Sequence, residues 1–198
     1  MALVEIAAVL LAVLYLVLVI RENVWCWPAA LVGTLLSLVV FVDAKLYMEA
    51  ALQLFYAAMA VYGWRQWLHG GPRGEPVAIG VWPWQRHVLA LAAIAVLTYG
   101  FGAVLSARTD AALPYVDSFT TVAALVTTYM VAKKVLENWI YWFVIDSVSI
   151  YLYVSRELFW FAALFAFYLV LIVIGYRAWA RQWHSTRIGG AAASGALH

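Results

Sequence analysis

Residues 47–67, YMEAALQLFYAAMAVYGWRQW, recur at 159–179 as FWFAALFAFYLVLIVIGYRAW, an offset of 112. Nine of the 21 positions are identical: Ala50/Ala162, Ala51/Ala163, Leu52/Leu164, Phe55/Phe167, Tyr56/Tyr168, Val61/Val173, Gly63/Gly175, Arg65/Arg177 and Trp67/Trp179. Two stretches that merely share an apolar composition would match at roughly two or three positions, so the chain contains a duplicated unit. Farther upstream, Glu22-Asn23-x-x-x-Trp27 is echoed by Glu137-Asn138-x-x-x-Trp142 at an offset of 115. That shift predicts that the second copy lacks three residues in the connector after its middle segment, and it makes Asn23 and Asn138 equivalent.

The duplicated unit is built for a bilayer. Of 198 residues, 67% are hydrophobic and 11% charged, and mean hydropathy is +0.91; a soluble domain is nearer half apolar and a quarter charged. A helix crossing about 30 Å of hydrocarbon needs about 20 mostly apolar residues. Candidate spans fall at 2–20, 25–42, 46–67, 88–106, 113–132, 138–155 and 158–180. The first lacks the basic flank and small-residue cleavage site of a signal peptide and is read as a span. The fifth is the most polar, with Pro114, Asp117, Thr120, Thr121, Thr127 and Thr128. One connection, 69–86, is long and rich in Gly and Pro, and the tail 185–198 reads as disordered and cytoplasmic. The single cysteine, Cys26, permits no internal disulfide and reads as a gap filler between helices.

A unit of three spans reverses direction, so a second copy keeps the orientation of the first only if one further span intervenes. Span 4 is that inverter. The expected fold is all-α and integral to the membrane, with seven transmembrane helices in a 3+1+3 parallel repeat. Its parts are a first three-helix bundle (1–68), the loop and inverter helix (69–112), a second three-helix bundle (113–184) and the tail. Arg21, Arg65, Arg73, Arg86, Lys133, Lys134, Arg177, Arg181 and Arg187 lie on one side, and Lys45, Arg108 and Arg156 on the other. The excess of positive charge places the C-terminus in the cytoplasm and the N-terminus outside.

Polar groups at membrane depth are costly unless they face protein or water, so they are the first candidates for function. In span 6, Asn138, Trp142, Asp146, Ser149 and Tyr153 share one helical face, with Trp139, Phe143, Val144 and Ile150 opposite. In span 3, Glu49, Gln53, Tyr56, Ala60, Gly63 and Trp67 form a similar stripe with Trp64 beside it, and span 2 adds Asn23, Trp27 and Thr34. Amides, hydroxyls and aromatic faces together suit a flat, polar, uncharged or weakly charged organic solute, with the amides and hydroxyls binding its edges and any sugar attached. Trp25, Trp27, Trp82, Trp84, Trp179 and Trp183 read instead as an interfacial belt. Thr120, Thr127 and Ser37 read as hydroxyls bonded back to their own helices, and Gly33, Gly63 and Gly175 as close-packing points.

There is no G-x-x-x-x-G-K-[ST] loop and no H-E-x-x-H pair, and His69, His87, His184 and His198 are scattered over span borders and the tail. No enzymatic activity, cofactor, metal or nucleic-acid partner is expected. A non-transporting assembly protein would leave the aligned polar stripes without a use.

Lys45-Leu46-Tyr47, Leu52-Gln53-x-Phe55-Tyr56 and Tyr62-Gly63-Trp64-x-x-Trp67 resemble the third-span signature of bacterial PnuC-type vitamin transporters. Lys133-Lys134-x-x-Glu137-Asn138-Trp139-x-Tyr141-Trp142-x-x-x-Asp146, with Gly175-Tyr176-Arg177-x-Trp179, resembles that family's second half. The resemblance implies a SWEET-like arrangement, a homotrimer in membrane lipid, and import of nicotinamide riboside by facilitated diffusion, with trapping by phosphorylation in the cytosol. It implicates Gln53, Trp64, Asn138 and Trp142 in substrate binding, joined by Tyr56 and Asp146. Asn23, Trp67, Thr128 and Ser149 are secondary candidates. Where the family carries a glutamine in the fifth span this chain reads Thr127-Thr128-Tyr129, and relatives that carry thiamine, riboflavin or deoxynucleosides keep the cargo open.

The charge asymmetry generates a direct test. A reporter active only in the cytoplasm scores positive when fused to the C-terminus and negative at the N-terminus; the reverse pattern overturns both the orientation and the parity argument.

Overall fold

The computed structural model describes residues 2–43, 47–109, 113–155, 157 and 159–195. Lys45 and Arg156 of the charge count and His198 of the tail lie outside them, as do the side chains of Tyr47 and Glu49. The described chain is helical: α1 (Ala2–Ile20), α2 (Cys26–Asp43), α3 (Tyr47–His69), α4 (Trp84–Arg108), α5 (Pro114–Ala132), α6 (Asn138–Ser155) and α7 (Phe159–Gly195). No strand occurs among the described residues; the one extended pairing is a bridge between Gly80 and Val135. Cys26–Asp43, Trp84–Arg108 and Phe161–Ile188 are long and apolar enough to cross a membrane by length and composition, and Ile6–Ile20 adds a shorter apolar run. The expected seven-helix, all-α membrane protein is what the chain forms.

The helices repeat at one offset throughout. α5 begins and ends 112 residues after α1, α6 does so after α2, and α7 begins 112 residues after α3. This corrects the expectation that the second copy is three residues short. A shift of three residues keeps nearly the same helical face, so the Glu-Asn pairs align in a register that packing does not follow. In the true register Trp27 corresponds to Trp139, Asn23 to Val135, and Cys26 to Asn138. Local bonding agrees. Asn23 N–H donates to Leu18 C=O at 2.9 Å and Val135 N–H to Met130 C=O at 3.0 Å, closing α1 and α5 with the same six-residue loop. Glu22 (φ 52°) and Lys134 (φ 48°) take the left-handed conformation at those corners.

The chain forms two compact units. Unit 1 comprises Met1–Ile79 with Ala132–Lys134, and within it α1 packs on α2 and α2 on α3. Trp27 is buried, meets Trp67 edge to face at 5.5 Å and 89°, and covers Gly63. Lys134 Nζ lies 4.6 Å from the Trp67 ring centre and pairs with Glu22 Oε2 at 3.0 Å. Lys133 Nζ donates to Gln66 Oε1 at 3.1 Å. Cys26 is fully buried, as a gap filler would be.

Unit 2 comprises Gly80–Val131 and Val135–His198. Helix α4, the expected inverter, thus groups with the second half, through a core of Ile94, Val122, Ala123 and Ile145. On α6 and α7 the first copy's socket recurs: Trp139 meets Trp179 at 5.4 Å and 89° and covers Gly175. Three tryptophan assignments change accordingly. Trp27 and Trp179 are 2% and 0% exposed rather than interfacial, and Trp139, placed on the outer face by periodicity, is 1% exposed. Trp25 and Trp84, at 65% and 69%, have the exposure of belt residues. The tail also departs from expectation, since α7 continues through Gly195. Alanine, abundant there, is the strongest helix former and needs no packing partner to propagate an existing helix.

A methyl group at Gly63 or Gly175 would collide with the six-membered ring of Trp27 or Trp139, each held by its partner indole. Overpacking of this kind costs about 1 to 3 kcal/mol. Gly63→Ala and Gly175→Ala each lower the melting temperature of the detergent-solubilised protein, whereas Gly100→Ala, which meets open space, does not.

Candidate functional site

Each unit carries candidate polar residues of its own. In unit 2, α6 turns Asn138 (0% exposed), Asp146 (4%) and Ser149 (5%) into the protein, while Phe143, Val144 and Tyr151 on other faces are 45–62% exposed. Trp142 and Tyr153, on the polar stripe, are half-buried. The stripe read from the sequence is therefore the buried face of α6, apart from Trp139.

Asn138 sits at the first residue of α6. Its Nδ2 donates to Val135 C=O at 2.6 Å, which fixes the amide and leaves Oδ1 buried with no donor among the described residues. An unpaired buried acceptor costs about 1 to 3 kcal/mol, which makes this oxygen a candidate to accept from a ligand. Asp146 lies two turns further in, about 12 Å along the helix axis. It forms no hydrogen bond or ion pair among the described residues, and an ionisable group at that depth is a candidate for function. Ser149 donates to Ile145 C=O at 2.9 Å and Thr128 to Ala124 C=O at 2.8 Å, so both hydroxyls spend their proton internally and can only accept from a ligand. Thr127 and Thr120 bond back in the same way, to Ala123 and Asp117, as expected for packing threonines. Trp142 packs on the unit's apolar core beside Tyr141.

In unit 1, Gln53 and Tyr56 are half-buried on α3, one turn apart, above the buried Ala60 and Gly63. Trp64 stands outside the stripe at 39% exposure. Trp67, 3% exposed, is occupied by Trp27 and Lys134 and belongs to the packing of the helices. Asn23 is exposed at the α1–α2 corner, where Oδ1 accepts from Trp25 N–H at 3.0 Å. That bond opens α2 and gives Asn23 a local structural task. The equivalence of Asn23 with Asn138 does not survive, because Cys26 is the counterpart of Asn138.

The lining is thus unequal in the two copies. At matching positions the first copy has Cys26, Thr34 and Gln53, and the second has Asn138, Asp146 and Phe165. Thr34 donates its hydroxyl to Leu31 C=O at 3.0 Å. Sequence reading missed Trp139 as a packing anchor. Extending the offset of 112 upstream would have found it, since Trp27 and Trp139 are then identical.

The chain matches the family described as "Nicotinamide mononucleotide transporter" over residues 2–181. It is 26% identical over 173 residues to the riboflavin/roseoflavin transporter RibM of Streptomyces davaonensis, covering 86% of this chain and 81% of that protein. Against the nicotinamide riboside transporter PnuC of Escherichia coli it is 23% identical over 177 residues, covering 75% and 73%. Among solved structures, the crystal structure of the vitamin B3 transporter PnuC matches with a TM-score of 0.69 at 23% identity, over 91% of this chain and 82% of that one, a likeness of fold. With nearly its whole length matched, the chain belongs to the nicotinamide mononucleotide transporter family of membrane transporters and is not an enzyme.

Proposed function

We propose that this protein imports a ribosylated vitamin, nicotinamide riboside first, by alternating access without ATP or a coupled ion. The observation that carries this reading is the α6 stripe: a buried amide oxygen at Asn138 that finds no donor among the described residues and a buried carboxyl at Asp146, with the Trp142 indole between them in sequence. Nicotinamide riboside supplies complementary groups, namely hydroxyl and amide donors and a pyridinium cation that a carboxylate and an aromatic face both attract. No phosphate-binding motif is present, so accumulation depends on phosphorylation of the cargo in the cytosol, which adds charge and prevents return. A second reading, riboflavin, is favoured by the 26% identity to RibM over most of both chains. Riboflavin is uncharged at its ring and has no need of Asp146.

Two measurements test the proposal. Titration of the purified protein with nicotinamide riboside, riboflavin, thiamine and deoxynucleosides, followed by quenching of its 11 tryptophans, ranks the cargoes. Loss of a buried hydrogen bond to ligand costs about 1 to 3 kcal/mol, or about tenfold to over a hundredfold in affinity. Gln53→Ala, Asn138→Ala and Trp142→Ala each weaken binding on that scale, and Asp146→Asn does so for nicotinamide riboside alone. If Asp146→Asn binds that cation as wild type does, the charge assignment is wrong; tighter binding of riboflavin by the wild type selects the second reading.

Transport in proteoliposomes gives the other test. Substrate equilibrates across the membrane without ATP and its uptake ignores imposed proton and sodium gradients. Accumulation above the external concentration under either gradient rules out the uniporter.

A further inference from the structure

Unit 2 contains a cavity of about 360 Å³ that the polar stripe of α6 does not line. It lies on the neighbouring face: Glu137, just before α6, joins Tyr141 and Val144 of α6, and α4 supplies His87, Leu91 and Ile94, each set at i, i+4 and i+7. Both helices begin near its polar end, so His87, Glu137 and Tyr141 stand at the water border and the apolar residues lie about 10 Å deeper. Leu91 and Val144 are 54% and 46% exposed, so the cavity opens sideways onto an exposed apolar face of unit 2.

The polar end is organised. Trp82 N–H donates to Glu137 Oε2 at 3.3 Å, and His87 Nε2 lies 3.7 Å from Glu137 Oε1. His87 Nδ1 and Tyr141 Oη are 3.0 Å apart. A carboxylate only accepts, so with Nε2–H toward Glu137 the Nδ1 atom accepts from the Tyr141 hydroxyl. The His87 ring also stacks on Tyr141 at 5.8 Å and lies 5.6 Å from Trp82. One carboxylate ringed by aromatic faces attracts an ammonium group and repels an anion. The volume is within the about 300–1,000 Å³ of sites for single small molecules.

We propose that this cavity binds one bilayer phospholipid with a primary-amine headgroup, its ammonium against Glu137 and the rings of His87 and Tyr141, and its acyl chain along Leu91, Ile94 and Val144. The charge at the border selects the headgroup and the apolar walls select the chain. The site is separate from the cargo-binding residues, so it stands whichever vitamin is carried.

The test is native mass spectrometry of the delipidated full-length protein titrated with phosphatidylethanolamine, phosphatidylcholine or phosphatidylglycerol. Wild type retains one phosphatidylethanolamine with a preference of about tenfold over phosphatidylglycerol, as an ammonium–carboxylate and cation–π contact together would give. Glu137→Gln reduces that preference to near parity, and Val144→Trp, which fills the cavity from a half-exposed position, reduces retention of every lipid. A phosphatidylethanolamine bearing a photoreactive acyl chain crosslinks to peptides containing residues 87–94 and 137–145 of the unsubstituted protein. Equal retention of the three lipids by wild type, crosslinks confined elsewhere, or unchanged preference in Glu137→Gln overturns the assignment. Absence of retained lipid together with a concentration-dependent oligomer would give the cavity to a second copy of the chain and equally overturn it.

Discussion

Within a bilayer, apolar helices gain nothing from leaving lipid for one another, and their association rests on close van der Waals fit at small residues. Here that fit is a tryptophan seated on a glycine. Trp27 over Gly63 joins α2 to α3, and Trp139 over Gly175 joins α6 to α7, each indole held edge to face by a second one. Aromatic pairs in this geometry contribute about 0.5 to 1.5 kcal/mol beyond the area they bury. The indole N–H of both Trp27 and Trp139 is buried and finds no acceptor among the described residues. Repetition of that cost in both copies shows that packing, not hydrogen bonding, determines where these rings go.

The corners between the first and second helix of each copy follow the same logic. A left-handed residue closes α1 and α5, and in neither copy is it glycine, although a side chain there costs about 1 to 2 kcal/mol. The two residues are Glu22 and Lys134, which pair at 3.0 Å in unit 1. Their charges offset each other in a largely buried place, and the Lys134 ammonium rests on Trp67, the indole that holds Trp27. Corner and socket thus share atoms, and the strain of one is borne by contacts that also order the other.

On this regular frame the chain carries an irregular set of polar groups. Matching positions hold Cys26 and Asn138, Thr34 and Asp146, Gln53 and Phe165. The duplication therefore supplies backbone positions, and divergence at those positions supplies chemistry. Within the second copy, α6 alone holds a buried amide and a buried carboxyl about 12 Å apart along its axis.

Hydropathy, the parity of spans and the recurrence of nine residues were enough to establish a duplicated seven-helix membrane protein, because bilayer thickness and backbone hydrogen bonding admit few other solutions for such a chain. The α6 stripe was legible for the same reason, since polar residues at helical spacing cannot face lipid cheaply. The register between copies was not legible. Shifts of three residues leave helical faces nearly unchanged, so Asn23 aligned with Asn138 by pattern while the Trp–Gly contacts set Cys26 there instead. Nor could composition separate an interfacial tryptophan from a buried one: Trp25 and Trp27 are neighbours in sequence, yet one is 65% exposed and the other 2%. Periodicity determines which residues share a face; which faces meet, and which polar atoms are then left without a partner, is decided only when side chains compete for the same space.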